Sequence, residues 1–181
     1  MIIELGHFAL ILALCLAVLQ ATVPLYGASR RHAGLMAVGQ SAAVAQFLLI
    51  AASFAVLVNA YVTSDFSLAT VVENSQSTKP LLYKITGVWG NHEGSMLLWV
   101  LILALFGAAV ALFGDNLPPG LRARVLAVQG MIGVGFLTFI LFTSTPFLRA
   151  HPAPLDGSGM NPVLQDPGLA FHPPFLYLGY V

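Results

Sequence analysis

Apolar residues fill four long stretches of the chain, and polar ones gather between them. The stretches Leu5–Val23, Gly39–Val62, Ser95–Phe113 and Val125–Phe142 contain no Asp, Glu, Lys or Arg. Each is close to the roughly 20 residues a helix needs to cross ~30 Å of hydrocarbon. Their polar members, among them His7, Gln20, Gln46, Asn59 and Gln129 besides hydroxyls, are scattered. A fifth apolar run opens at Phe175 (FLYLGYV) and stops at Val181, too short to span. The pattern predicts an all-α integral membrane protein with four transmembrane helices and the truncated start of a fifth from residue 175. A sequence that stops inside an element is expected of a fragment or a split subunit.

Composition sharpens this reading. Only 8% of the 181 residues are charged and 58% are hydrophobic, against about 25% charged in a soluble domain. A water-soluble globule is excluded. Seven basic and seven acidic residues cancel, so no basic face exists for nucleic acid. The start, MIIELGH, has no Lys or Arg before its apolar run, unlike a cleaved secretory signal. The first stretch is therefore expected to stay in the membrane.

Basic residues also predict orientation. Arg30 and Arg31 lie in the short loop 28–38, and Arg122 and Arg124 in the short loop 114–124. The longer segments 63–94 and 143–174 hold only Lys79, Lys84 and Arg149. The short loops are thus expected in the cytoplasm. The N-terminus and both long segments are expected outside. Segment 63–94 contains a turn-like patch at Asn74–Thr78 and an apolar stretch, Leu81–Trp89, expected along the membrane surface. Segment 143–174 holds seven of the eleven prolines, so it is no continuous helix and must be tied down by contacts. Gly39 with Ala43, and Gly107 with Ala111, have the spacing of closely packed membrane helices.

One cysteine, Cys15, excludes an internal disulfide, a CxxC pair and a CxxCH haem-attachment site. No two of His7, His32, His92, His151 and His172 have zinc-protease spacing. His32 follows two arginines, His7 lies near a helix end, and His151 precedes Pro152 in a loop. Each is most simply a solvated polar residue. His172 differs, because Pro173 and Pro174 stiffen the backbone after it and an apolar run follows. Proline suits a first helical turn, so the imidazole would stand on a rigid mount at the membrane surface. That setting suits an axial haem ligand; a helix-entrance histidine with no ligand is the alternative.

The cluster Trp89-Gly90-Asn91-His92-Glu93-Gly94-Ser95 opens the third stretch. Asn91 is a good N-cap, and Glu93 complements the positive helix end. Trp89 and Trp99 fit an interfacial aromatic belt. Capping and anchoring would explain the cluster, but Gly90 and Gly94 would also let a flat ligand or another backbone approach.

Three stretches, Trp89–Trp99 (WGNHEGSMLLW), Val134–Pro146 (VGFLTFILFTSTP) and Asn161–Val181 (NPVLQDPGLAFHPPFLYLGYV), resemble the CcmF family, the haem lyase subunit of cytochrome c maturation. The resemblance extends over nearly the whole chain, at the family's N-terminal side. It implies a polytopic protein of the bacterial inner membrane that handles haem on its periplasmic face. It implies that haem b is taken from a CcmE-type haem chaperone. That haem is attached to the CxxCH thiols of an apocytochrome c delivered by CcmH-type partners. It makes His172 an axial ligand of the haem iron and places Trp89, His92 and Glu93 near the haem or a partner. The partner histidine, the tryptophan-rich WWD segment and the structural haem's histidine pair are expected beyond Val181. These 181 residues alone are therefore expected to be inactive. A paralogous subunit serving nitrite reductase and a non-catalytic membrane assembly subunit remain alternatives. A transporter is disfavoured, because the spans hold no Asp, Glu, Lys or Arg and, of histidines, only His7.

Overall fold

Four helices long and apolar enough to cross a membrane make up the bundle: α1 (Ile2–Ser29), α2 (Ala33–Val62), α5 (His92–Phe113) and α6 (Pro119–Phe142). Between α2 and α5 lie two short helices, α3 (Ala69–Asn74) and α4 (Leu81–Gly87). After α6, an irregular stretch and a 3-10 turn at Pro162–Gln165 lead into α7 (Pro167–Tyr180). The computed structural model describes residues 1–181.

Local chemistry sets the helix ends. Only Arg30–His32 separate α1 from α2, and Arg31 takes a left-handed φ of 52° to reverse the chain. The His32 ring then caps α2, its Nδ1 accepting the Leu35 N–H at 3.3 Å. His32 therefore does more than carry polarity in a loop. Pro118 precedes α6, and Pro119 occupies its first turn, where a missing N–H costs nothing. At 28 residues α1 is about 42 Å long, longer than its apolar sequence core.

The helices close on a core of Leu10, Ala13 and Ala17 from α1, Ile50 and Leu57 from α2, Leu97 and Ala104 from α5, and Leu137 and Ile140 from α6. Gly39, Ala43, Gly107 and Ala111 are all buried, so both small-residue spacings serve helix contact. One polar knot crosses this core. Gln20 donates to the Leu126 carbonyl at 2.8 Å and to Gln129 Oε1 at 3.2 Å, and Gln129 donates to the Leu103 carbonyl. Three helices are thereby joined.

The N-terminus, segment 63–91 and the stretch after Phe142 share one end of the bundle, opposite the two short arginine-bearing loops. There the proline-rich stretch is strapped to the segment before α4. Ala69 N–H donates to the Leu148 carbonyl and Ala150 N–H to Ser67, both at 2.9 Å. Ser77 donates its N–H and hydroxyl to the Asp156 carboxylate at 2.8 and 2.7 Å. Those two bonds, with the Gly157 N–H, hold the Asp156 carboxyl below its ordinary range.

One expectation is corrected here. The fifth helix begins at Pro167 rather than near Phe175, so Pro173 and Pro174 lie inside it, not in its first turn. Asp166 explains the earlier start: its Oδ1 accepts the Gly168 and Leu169 N–H groups at 2.8 and 3.2 Å. A carboxylate N-cap followed by proline at the first position is a strong helix start.

Candidate functional site

Asn91 organises the corner between α4 and α5. Its Oδ1 accepts the Gly94 N–H at 2.8 Å, the expected cap. Its amide also donates to the Tyr61 hydroxyl at 2.9 Å and to the Gly87 and Val88 carbonyls at 2.9 and 3.1 Å. Tyr61 in turn reaches the Thr70 carbonyl at 2.9 Å. Asn91 and Tyr61 thus tie α2, α3, α4 and α5 together. Glycine is required at position 94, because a Cβ there would overlap the Val88 carbonyl. At Gly90 a Cβ would meet the Met160 methyl at 2.5 Å. The close approaches these glycines permit are made by the protein's own groups.

Trp89 and Trp99 are held between helices rather than serving as free anchors. Trp89 stacks on Phe54, with ring centroids 6.5 Å apart and planes 15° off parallel. Its indole N–H donates to the Ala170 carbonyl of α7 at 2.8 Å. Trp99 stacks on Tyr177 of α7 at 5.2 Å and 11°, and the Tyr177 hydroxyl hydrogen-bonds Ser95 Oγ. The face of α7 carrying Ala170, Pro173 and Tyr177 is therefore turned toward α4 and α5.

A cavity of about 330 Å³ lies beneath that face, lined by Thr86, Trp89, His92, Ser95, Met160 and Pro173 among others. His92 also meets Phe139 edge-on at 5.9 Å. Glu93 is half-buried and makes no ion pair. His172 is not part of this cavity. At 100° per residue it sits about 200° around α7 from Ala170, and its side chain is exposed. The structure thus brings Trp89 and His92 to the inner side of α7 and His172 to the outer side. The four residues do not converge on one point.

His172 shares its outer face with Phe175, 71% exposed, and Leu176, 38% exposed. Gly168 and Gly179 lie on the same strip four residues before and seven after it, and a Cβ at Gly179 would meet nothing. An imidazole standing out of an apolar strip, with glycines above and below, fits a flat porphyrin lying across the helix.

The other histidines sit elsewhere. His7 and His151 line a separate cavity of about 700 Å³ with Arg149, which is paired to Glu4. Lys79 is buried, its Nζ donating to the Asn74 carbonyl at 3.0 Å. Burial and the nearby Lys84 lower its pKa to about 8. Sequence reasoning used Lys79 only for orientation and Ser95 only as the end of the Trp89–Ser95 cluster, and passed over Tyr177. Nothing in the sequence marked Ala170 and Tyr177 as the bundle-facing side, since α7 is apolar around most of its circumference.

Bundle and site together define a multi-span, all-α membrane protein that mounts an imidazole-bearing helix on one end of its bundle. The profile of the family described as "Cytochrome C assembly protein" matches residues 89–181, and the chain belongs to that family. The chain is 71% identical over its whole length to the cytochrome c-type biogenesis protein ccl1 of Rhodobacter capsulatus, of which it covers 28%. It is 65% identical over its whole length to the cytochrome c-type biogenesis protein CycK of Bradyrhizobium diazoefficiens, covering 27%. Among solved structures, "Cytochrome c Heme Lyase CcmF" superposes with a TM-score of 0.85 at 28% identity, over 99% of this chain and 28% of that one. The chain spans little more than a quarter of the relatives it matches.

Proposed function

We propose that this chain supplies the first of two axial imidazoles, His172, to the haem that a CcmF-type lyase attaches to apocytochrome c. The carrying observation is the outward-facing His172 on an apolar strip of a helix clamped from behind. Membership of the cytochrome c assembly family supplies the substrate class. Haem b is the expected substrate haem, received from a CcmE-type chaperone and passed to the CxxCH thiols of apocytochrome c held by CcmH-type subunits. Thioether formation joins substrate thiols to haem vinyl groups, so Cys15 has no part in it. What the chain's residues contribute is position. His172 holds the iron from one face, and Phe175 and Leu176 offer apolar contact beside it.

We place the protein in the bacterial inner membrane with the α7 end of the bundle periplasmic, because four of the seven Lys and Arg lie at the other end, Arg30 and Arg31 between α1 and α2 and Arg122 and Arg124 in the first turns of α6. The N-terminus, residues 63–94 and residues 143–174 then face the periplasm. Cysteine labelling tests this. In a Cys15→Ala background, Leu155→Cys, at a fully exposed position, should react with an impermeant thiol reagent from the periplasm. Ser29→Cys should not. Labelling of Ser29→Cys from outside overturns the orientation.

The ligand reading is tested by His172→Ala in the intact protein. Covalent haem in cytochrome c, read by haem stain, should fall to background while the amount of lyase in the membrane stays near normal. His151→Ala is the control and should leave the yield unchanged. A normal yield from His172→Ala would leave the non-catalytic assembly subunit as the better reading. Loss confined to nitrite reductase would point to the paralogous subunit.

A further inference from the structure

Two prolines inside α7 create a specific chemical problem. An α-helical carbonyl at position i accepts the N–H of residue i+4. Pro174 has no N–H, so the Ala170 carbonyl loses its helical donor, and Pro173 withdraws the donor for Leu169 in the same way. Ala170 is buried, 4% exposed. A carbonyl in such a place is costly to leave without a partner. The Trp89 indole N–H supplies that partner at 2.8 Å.

We infer that Trp89 is a positioning residue for His172: its N–H replaces the donor that Pro174 removes and so fixes the rotation of α7. This inference rests on His172 being the haem ligand. The geometry is a two-point clamp. Trp89 holds α7 at Ala170. Two turns further on, Trp99 and Ser95 hold Tyr177 by stacking and a hydrogen bond. His172 lies between these points and on the opposite face, so any roll of the helix swings the imidazole sideways. With only Ala170 buried along its length, α7 has little apolar packing of its own to resist rolling. Trp89 is in turn fixed by stacking on Phe54. The sequence thus couples the WGNHEGS cluster to the FHPPF stretch through one hydrogen bond, 81 residues apart in the chain.

The test is a double-mutant cycle in the intact, detergent-purified protein. Trp89→Phe keeps an aromatic ring against Phe54 and removes the N–H together with part of the indole's bulk, a packing loss that is the same in both backgrounds and cancels in the cycle. Pro174→Ala returns an N–H to the helix, able to reach the Ala170 carbonyl. Two measurements are made: haem titration followed by Soret absorbance, and deuterium exchange of the α7 amides without haem. Trp89→Phe should weaken haem binding about tenfold, the scale of one lost buried hydrogen bond, and speed exchange at Phe175–Tyr180. In the Pro174→Ala background the same substitution should cost less than threefold and leave exchange unchanged. An equal penalty in both backgrounds, or none in either, overturns the inference. His172→Ala separates the two readings. If it leaves the affinity for added haem intact, the ligand assignment has failed. If it abolishes binding of added haem while Trp89→Phe changes nothing, only the positioning role has failed.

Discussion

The four-helix bundle and α7 are built on different principles. In the bundle, contact is broad and nonspecific in chemistry: leucines, isoleucines and alanines from four helices fill one core. Along α7 only Ala170 is buried, and attachment comes through a few directed contacts at Trp89, Ser95 and Trp99. Broad apolar contact gives stability but tolerates small rotations of a helix. Directed hydrogen bonds add little stability yet fix orientation. The imidazole proposed to hold haem sits on the element whose aim is set most by directed bonds and least by burial. Stability and aim are therefore separable in this molecule.

The sharpest test of that contrast is the pair Leu57→Ala and Phe175→Ala. Leu57 is completely buried, and its truncation should cost about 2–5 kcal/mol, seen as a large fall in the midpoint of thermal unfolding in detergent. Phe175 is 71% exposed, and its truncation should change stability by roughly 0.5 kcal/mol or less. Similar losses from both would mean that α7 belongs to the core after all. Next in size is Asn91→Ala, which removes the α5 cap and the amide donors to Tyr61, Gly87 and Val88. A loss of about 2 kcal/mol is expected, with α7 loosened as well, since Trp89 and Ser95 flank this corner. Unchanged exchange in α7 would show that the corner and the arm are independent.

A smaller effect is expected from Lys79. Its folded pKa of about 8 lies below the roughly 10.4 of an unfolded lysine. Between these values the unfolded chain binds more protons, so stability should rise with pH across that window and level off above it. At pH 7 both states carry the proton and the full burial penalty is present. Unfolding midpoints at pH 7.5 and 10 should show the rise, and Lys79→Met should flatten it. A rise of equal size in the variant would assign the pH response to another group.

The sequence by itself determined the membrane class, the number of long helices and several of their ends. Acidic and basic side chains are so costly inside hydrocarbon that their absence marks spans almost regardless of tertiary context. Asn91 as a cap was legible for a similar reason, since caps are made within one turn of chain. The start of α7 was misplaced because two prolines outweighed the quieter signal of Asp166 before Pro167. Trp89 and Trp99 read as membrane-belt residues because amphipathic rings look alike whether their N–H meets headgroups or a carbonyl. Which side of α7 faces the bundle was not legible at all. The helix is apolar around most of its circumference, so periodicity gives no preferred face. Only the tertiary structure decided it, by bringing a donor from residue 89 to the carbonyl that Pro174 leaves free and a tyrosine ring onto Trp99. Those long-range contacts are what turn His172 outward.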